Sequence, residues 1–211
     1  MEIEIWSDIM CPFCYIGKRK FETALEHFEH KDKVKVIWKS YLLDPGLVSD
    51  STKSIHEHLA YSKGWTVDYA KEMGEYVSNM AKEEGLQYNM DKVKVANTFD
   101  AHRLIQMAKQ LNKGDEMEEL LFKAYFTEGK NLADQHVLKT IALSIGIGEE
   151  EMDTLFRGKN FAKEVLEDIK AAENIGVSGV PYFVFDGKFA VSGAQPTETF
   201  LNALRKAWKN E

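Results

Sequence analysis

Cysteine occurs twice in this chain of 211 residues, and the two copies stand three positions apart in the run Cys11-Pro12-Phe13-Cys14. A bridge between them would close too small a loop to constrain the unfolded chain, so stapling the fold is not their purpose. Three uses are open. Free cysteines are often plain core atoms. Half of a zinc site would need about two further ligands. The six histidines, His27, His30, His56, His58, His102 and His136, offer no spacing that completes such a set, and His56 and His58 are expected in solvent. The third use is thiol–disulfide exchange, which needs a CxxC pair opening a helix directly after a strand.

Pro12 supplies that helix start, because proline is tolerated where the backbone donor would be orphaned in any case. Cys11 then sits at or next to the N-cap, where unpaired N–H groups and the helix dipole favour a thiolate. Cys14, one turn further in, is expected to be the more buried thiol and to resolve a mixed disulfide held on Cys11. Phe13 adds no charge, and Lys18 lies too far along the helix to count on.

The elements that must position this pair are legible in the pattern. Ile3 and Ile5 alternate with charge in Glu2–Trp6, and Val34, Val36 and Trp38 alternate with lysines, which is the period of a strand. Between them Gly17, Phe21, Leu25 and Phe28 mark the buried face of a helix from Pro12. Tyr182–Phe185 and Phe189–Val191 are short β-prone runs around Asp186-Gly187, a strong hairpin signal. A last helix carries Phe200, Leu204 and Trp208, with Pro196 in its first turn. From about Ser51 to Ile175 the chain reads as helical almost throughout, without a strand signal. Phe161, Val165, Ile169 and Ala172 form the face of the final helix in that stretch, which Gly176 ends. The order is β-α-β, a helical insert, then β-β-α.

Composition narrows the partners. Hydrophobic residues make up 44% of the chain, enough for a sizeable core. Twenty-seven basic residues against thirty-four acidic ones give a net charge of −7 and no long basic run, so no nucleic-acid partner is expected. Nor is a membrane partner: no apolar run approaches the roughly 20 residues of a span, and the charged start is unlike a signal peptide. A cytoplasmic address follows as the expectation.

With these residues in view, the chain resembles the DsbA-like branch of the thioredoxin superfamily, and within it the FrnE-like group. The resemblance runs through Cys11-Pro12-Phe13-Cys14-Tyr15-Ile16-Gly17, Asn97-Thr98 with Ala101-His102-Arg103-Leu104, Gly179-Val180-Pro181 and Ser192-Gly193. It implies an α/β thioredoxin fold interrupted by an all-helical insertion, with residues 1–50 and 160–211 forming the thioredoxin-like domain and 51–159 the insertion domain. It further implies a cis Val180-Pro181 peptide facing the cysteines, which would leave the Val180 N–H and C=O free to pair with a substrate strand. Cys11, Cys14 and Pro181 are the expected catalytic residues. Phe13, Val180 and Asn97 are the expected substrate-binding residues, Asn97 because related glutathione-dependent enzymes have this part of the insert over the site. His102 is a weaker candidate, and Trp6 and Tyr15 are expected to pack around the motif.

The function so implied is a Cys11/Cys14 dithiol–disulfide cycle on protein or low-molecular-weight disulfides. Reductase or isomerase work suits a reducing cytoplasm better than oxidation. No bound cofactor or metal is expected, with glutathione or another thiol as the candidate co-substrate; the oligomeric state is left open. The alternatives are a glutathione-dependent isomerase or transferase, which in related families carries serine where Cys11 stands, and a non-catalytic peptide-binding module.

Overall fold

In the computed structural model, which describes residues 1–209, the chain forms β1 (Glu2–Ser7), α1 (Pro12–Glu26), β2 (Lys35–Ser40), β3 (Asp50–Ser54), α2 (Ile55–Lys63), α3 (Val67–Glu83), β4 (Lys94–Val95), α4 (Phe99–Gln110), α5 (Gly114–Phe122), α6 (Gln135–Ser144), α7 (Glu149–Arg157), α8 (Ala162–Asn174), β5 (Tyr182–Phe185), β6 (Phe189–Ser192) and α9 (Thr197–Trp208). It divides into two compact units, Met1–Leu43 with Val165–Glu211, and Asp44–Glu164.

The first unit is built on a four-stranded sheet in the order β2-β1-β5-β6. Strand β1 pairs parallel with β2 and antiparallel with β5, so the strand that delivers the cysteines has a neighbour on each side. Ile3 and Ile5 stand opposite Phe185 and Phe183 and share their face of the sheet. Phe21 of α1 packs there, its ring centroid 5.5 Å from that of Phe183 and 5.9 Å from that of Phe200 on α9. Trp6 points to the opposite face, where its indole N–H donates to Asp168 O at 2.9 Å and its ring packs with Ala172 and Val177. The hairpin between β5 and β6 turns through Asp186 and Gly187, both at positive φ (54° and 66°), the conformation that makes an Asp-Gly pair suit a two-residue turn.

In the second unit the caps follow the sequence closely. Ser54 and Glu57 form a capping box on α2, Gly64 ends that helix at φ 68°, and Thr66 caps α3. Arg103 is buried and donates to the carbonyls of Leu155, Gly158 and Asn160, so one guanidinium ties α4 to the end of α7. Following α5, residues Lys123–Thr127 widen into a π-helical turn, and the Tyr125 hydroxyl donates to Lys94 O at 2.9 Å.

Three expectations need correction. The insert is not free of strands, since β3 and β4 pair antiparallel with a register shift; Asp50–Ser54 is nearly all exposed and polar, so no apolar alternation announces it. His56 is not solvated. It is 4% exposed, with Nε2 at 3.1 Å from Asp91 Oδ1. Its ring fits because Gly74 leaves room: a Cβ there would stand 3.0 Å from His56 Cε1. Phe161 does not open the face of α8 but precedes the helix at φ 63°.

The aromatic cluster gives a stability prediction. Phe21→Ala should lower the unfolding free energy by about 3–5 kcal/mol, the usual cost of emptying a buried phenylalanine site, read as a fall in the urea midpoint.

Candidate active site

Strand β1 ends at Ser7 and α1 begins at Pro12, and the turn between them carries the first thiol. Cys11 is the N-cap of α1, in extended backbone (φ −88°, ψ 111°), with Pro12 in the first helical turn and no side-chain cap on the helix. The turn is fixed by Asp8: Cys11 N–H donates to its main-chain oxygen at 2.9 Å, while its side chain accepts from Met10 N–H at 3.2 Å and from Leu43 N–H at 2.8 Å. Asp8 and Ser7 are neighbours of the pair that the spacing of CxxC does not reveal.

Both cysteines are free thiols and both are buried, Cys11 at 4% and Cys14 at 1% exposure. Burial pushes the Cys14 thiol well above its ordinary pKa, and the adjacent Cys11 adds to the rise. The Asp8 backbone N–H and the Ser7 hydroxyl pull in the opposite direction.

The Val180-Pro181 peptide is cis, and the Cys11 thiol donates to Val180 O across 3.4 Å. The Val180 carbonyl is therefore not free in the dithiol form, contrary to the expectation from resemblance; the thiol satisfies it. Pro181 is buried and its ring touches α1 at Gly17, where a Cβ would stand only 2.9 Å from Pro181 Cγ. The main-chain oxygen of Pro181 accepts from Gly193 N–H at 2.8 Å. Phe13 is 37% exposed, a large apolar ring at the surface between the two cysteines.

Trp6 and Tyr15 are buried, as packing around the motif requires. So is Lys18, one turn beyond Cys14, which pairs with Glu22 and lies 5.8 Å from the centroid of the Trp38 ring. Asn97 belongs to the second unit. Its side-chain amide donates to Leu47 O at 3.0 Å and accepts from Phe99 N–H at 2.9 Å, so it serves the entry to α4. His102 is buried in α4.

Two predictions follow. Gly17→Ala should destabilise the protein by about 1–3 kcal/mol, the scale of overpacking, because its methyl meets Pro181; Gly179→Ala, with nothing within 4 Å of the added carbon, should be close to neutral. Thermal unfolding of the two variants checks the contrast. Alkylation requires the thiolate, and a raised pKa keeps the thiolate scarce until higher pH. Cys14 in the folded dithiol should therefore resist iodoacetamide through the range around 8.5 where a free cysteine titrates, and react there once the chain is unfolded in urea, as peptide mass mapping would register.

Comparison with known proteins agrees with this architecture. The model of the DSBA-like thioredoxin domain matches residues 2–205. The uncharacterized protein YwbO of Bacillus subtilis is 26% identical over 219 residues, covering 100% of this chain and 99% of its own. The crystal structure of a probable DsbA oxidoreductase, SCO1869 of Streptomyces coelicolor, superposes with a TM-score of 0.94 at 34% identity, over 100% of this chain and 91% of that one. The cytosolic disulfide reductase DsbM of Pseudomonas aeruginosa shares the fold, with a TM-score of 0.69 at 15% identity and full coverage (100%) of both chains. This chain belongs to the DSBA-like thioredoxin domain family, a family of thiol–disulfide oxidoreductases.

Proposed function

We propose that the protein runs a dithiol–disulfide cycle in which Cys11 attacks a substrate disulfide and Cys14 resolves the product. The observation that carries this reading is the pairing of two free thiols at the head of α1, with the Cys11 sulfur 3.4 Å from the Val180 carbonyl. In the first step the Cys11 thiolate bonds to one sulfur of the substrate disulfide and the other sulfur leaves as a thiol. In the second, Cys14 attacks the Cys11 sulfur, the internal disulfide forms, and the substrate departs reduced with the proton that Cys14 gives up. When the Cys11 thiol has gone into the mixed disulfide, the Val180 carbonyl is released to accept from the main chain of an extended substrate. Phe13, exposed beside the pair, offers an apolar contact to the same segment.

The substrate class is a protein or small-molecule disulfide, and the proposed direction is reduction or isomerisation, with glutathione or another thiol regenerating the dithiol. This direction goes with the proposed cytoplasmic address. Among the described residues no helix is long and apolar enough to cross a membrane.

The two cysteine variants should differ in kind. Cys11→Ser should lose turnover and form no covalent adduct, because a serine hydroxyl is not appreciably ionised. Cys14→Ser should form the mixed disulfide and hold it, seen as a mass increase that reduction removes, and any residual turnover should scale with added glutathione. Adducts on Cys14 in the Cys11→Ser protein, or full activity in both variants, would favour a glutathione-dependent isomerase or transferase instead.

A further inference from the structure

The Ser7 hydroxyl has no evident use in the resting protein. Ser7 ends β1, and by the two-residue period of the strand it follows Ile3 and Ile5 on the face covered by α1. It is 1% exposed, and its oxygen has no conventional hydrogen-bond partner. Burying a hydroxyl in that state is destabilising, and alanine would fill the strand position without the penalty. Ser7 stands four residues before Cys11, at the end of the strand that leads into α1, the helix that carries Cys14, and its hydroxyl acts against the effect of burial on the Cys14 thiol. A serine hydroxyl rotates freely about its C–O bond, so it can turn its hydrogen toward whichever neighbour becomes charged.

We propose that Ser7 is a catalytic hydrogen-bond donor to the Cys14 thiolate in the resolving step. The assignment rests on the dithiol reading and adds to it how a desolvated thiol becomes a nucleophile. In that step the Cys14–S bond to Cys11 forms and the bond from Cys11 to the substrate sulfur breaks; the departing sulfur takes the electron pair and the proton released from Cys14. Burial makes the ionised form of Cys14 scarce, so any group that stabilises its charge raises the rate. The Asp8 main-chain N–H supplies one donor to that sulfur and Ser7 supplies the second. The ionisable groups nearby leave this task open: the Asp8 carboxyl group is bound to Met10 and Leu43 N–H, Lys18 is paired with Glu22, and Cys11 is occupied in the mixed disulfide.

The test separates the two steps with the chromogenic disulfide DTNB under single-turnover conditions. The wild-type dithiol should release thionitrobenzoate twice, first as Cys11 attacks and again as Cys14 resolves. Ser7→Ala should leave the first release unchanged, which also shows that the site is folded. The second should slow by about tenfold or more, the scale of one hydrogen bond to an ionised group, and its pH profile should move to higher pH. Ser7→Thr, which restores a donor, should recover the second phase. A second phase unchanged in Ser7→Ala, a slowing shared equally by both phases, a slowing without a shift in the profile, or a Ser7→Thr protein as slow as Ser7→Ala would each overturn the role of Ser7. A wild-type protein that releases thionitrobenzoate only once would overturn the dithiol cycle, and this role with it.

Discussion

The side chain of Asp8 has no access to solvent, and the turn that carries the first thiol depends on what it holds. One oxygen accepts from Met10 N–H inside the turn, and the other accepts from Leu43 N–H, in the segment that follows β2. Its main-chain oxygen receives Cys11 N–H, and its own N–H counters the rise that burial imposes on the Cys14 thiol. A buried carboxyl group is tolerable only when its oxygens are satisfied, so the turn has little freedom to open. The sulfur positions are in this way referred to the sheet, and not to a loop that could drift.

From that fixed turn the two thiols acquire different surroundings. The Cys11 sulfur stands at the start of a helix and meets a carbonyl. The Cys14 sulfur lies under the helix, in a site dry enough to hold its proton. The proposed sequential exchange would benefit from the difference, because a thiol held protonated by burial is a poor nucleophile until it ionises. Gly17 contributes by what it lacks: without a Cβ, α1 lets Pro181 close over the site.

Legibility in the sequence followed the strength of local signals. Cys11-Pro12-Phe13-Cys14 marks a helix start by chemistry that requires no tertiary context, and Asp186-Gly187 names its turn by the φ angles it tolerates. The β-α-β and β-β-α halves followed from periodicity, because their buried faces are apolar. What stayed hidden depends on distant neighbours. Strand β3 is polar and exposed, so nothing alternates. The burial of His56 is set by the absent side chain of Gly74, eighteen positions away. The site is similar: the CxxC pair is plain in the chain, whereas Ser7 and Asp8 matter only because the fold returns α1 over the end of β1. Asn97 shows the converse, since a residue singled out by family likeness has its amide engaged at both ends within its own unit.

The order of strands carries a consequence for the life of the chain before it is folded. Strand β1 holds a central place in the sheet, but its neighbour β5 begins at Tyr182, after the whole of the second unit. On a ribosome adding about 5–20 residues per second, the stretch between Cys14 and Tyr182 takes roughly ten to thirty seconds to appear. Through that interval the first unit lacks half of its sheet, and the thiols that the finished protein encloses are open to oxidants and to one another. The insertion thus creates a period of vulnerability during synthesis, and a reducing compartment would protect the nascent chain as well as set the direction of the mature enzyme.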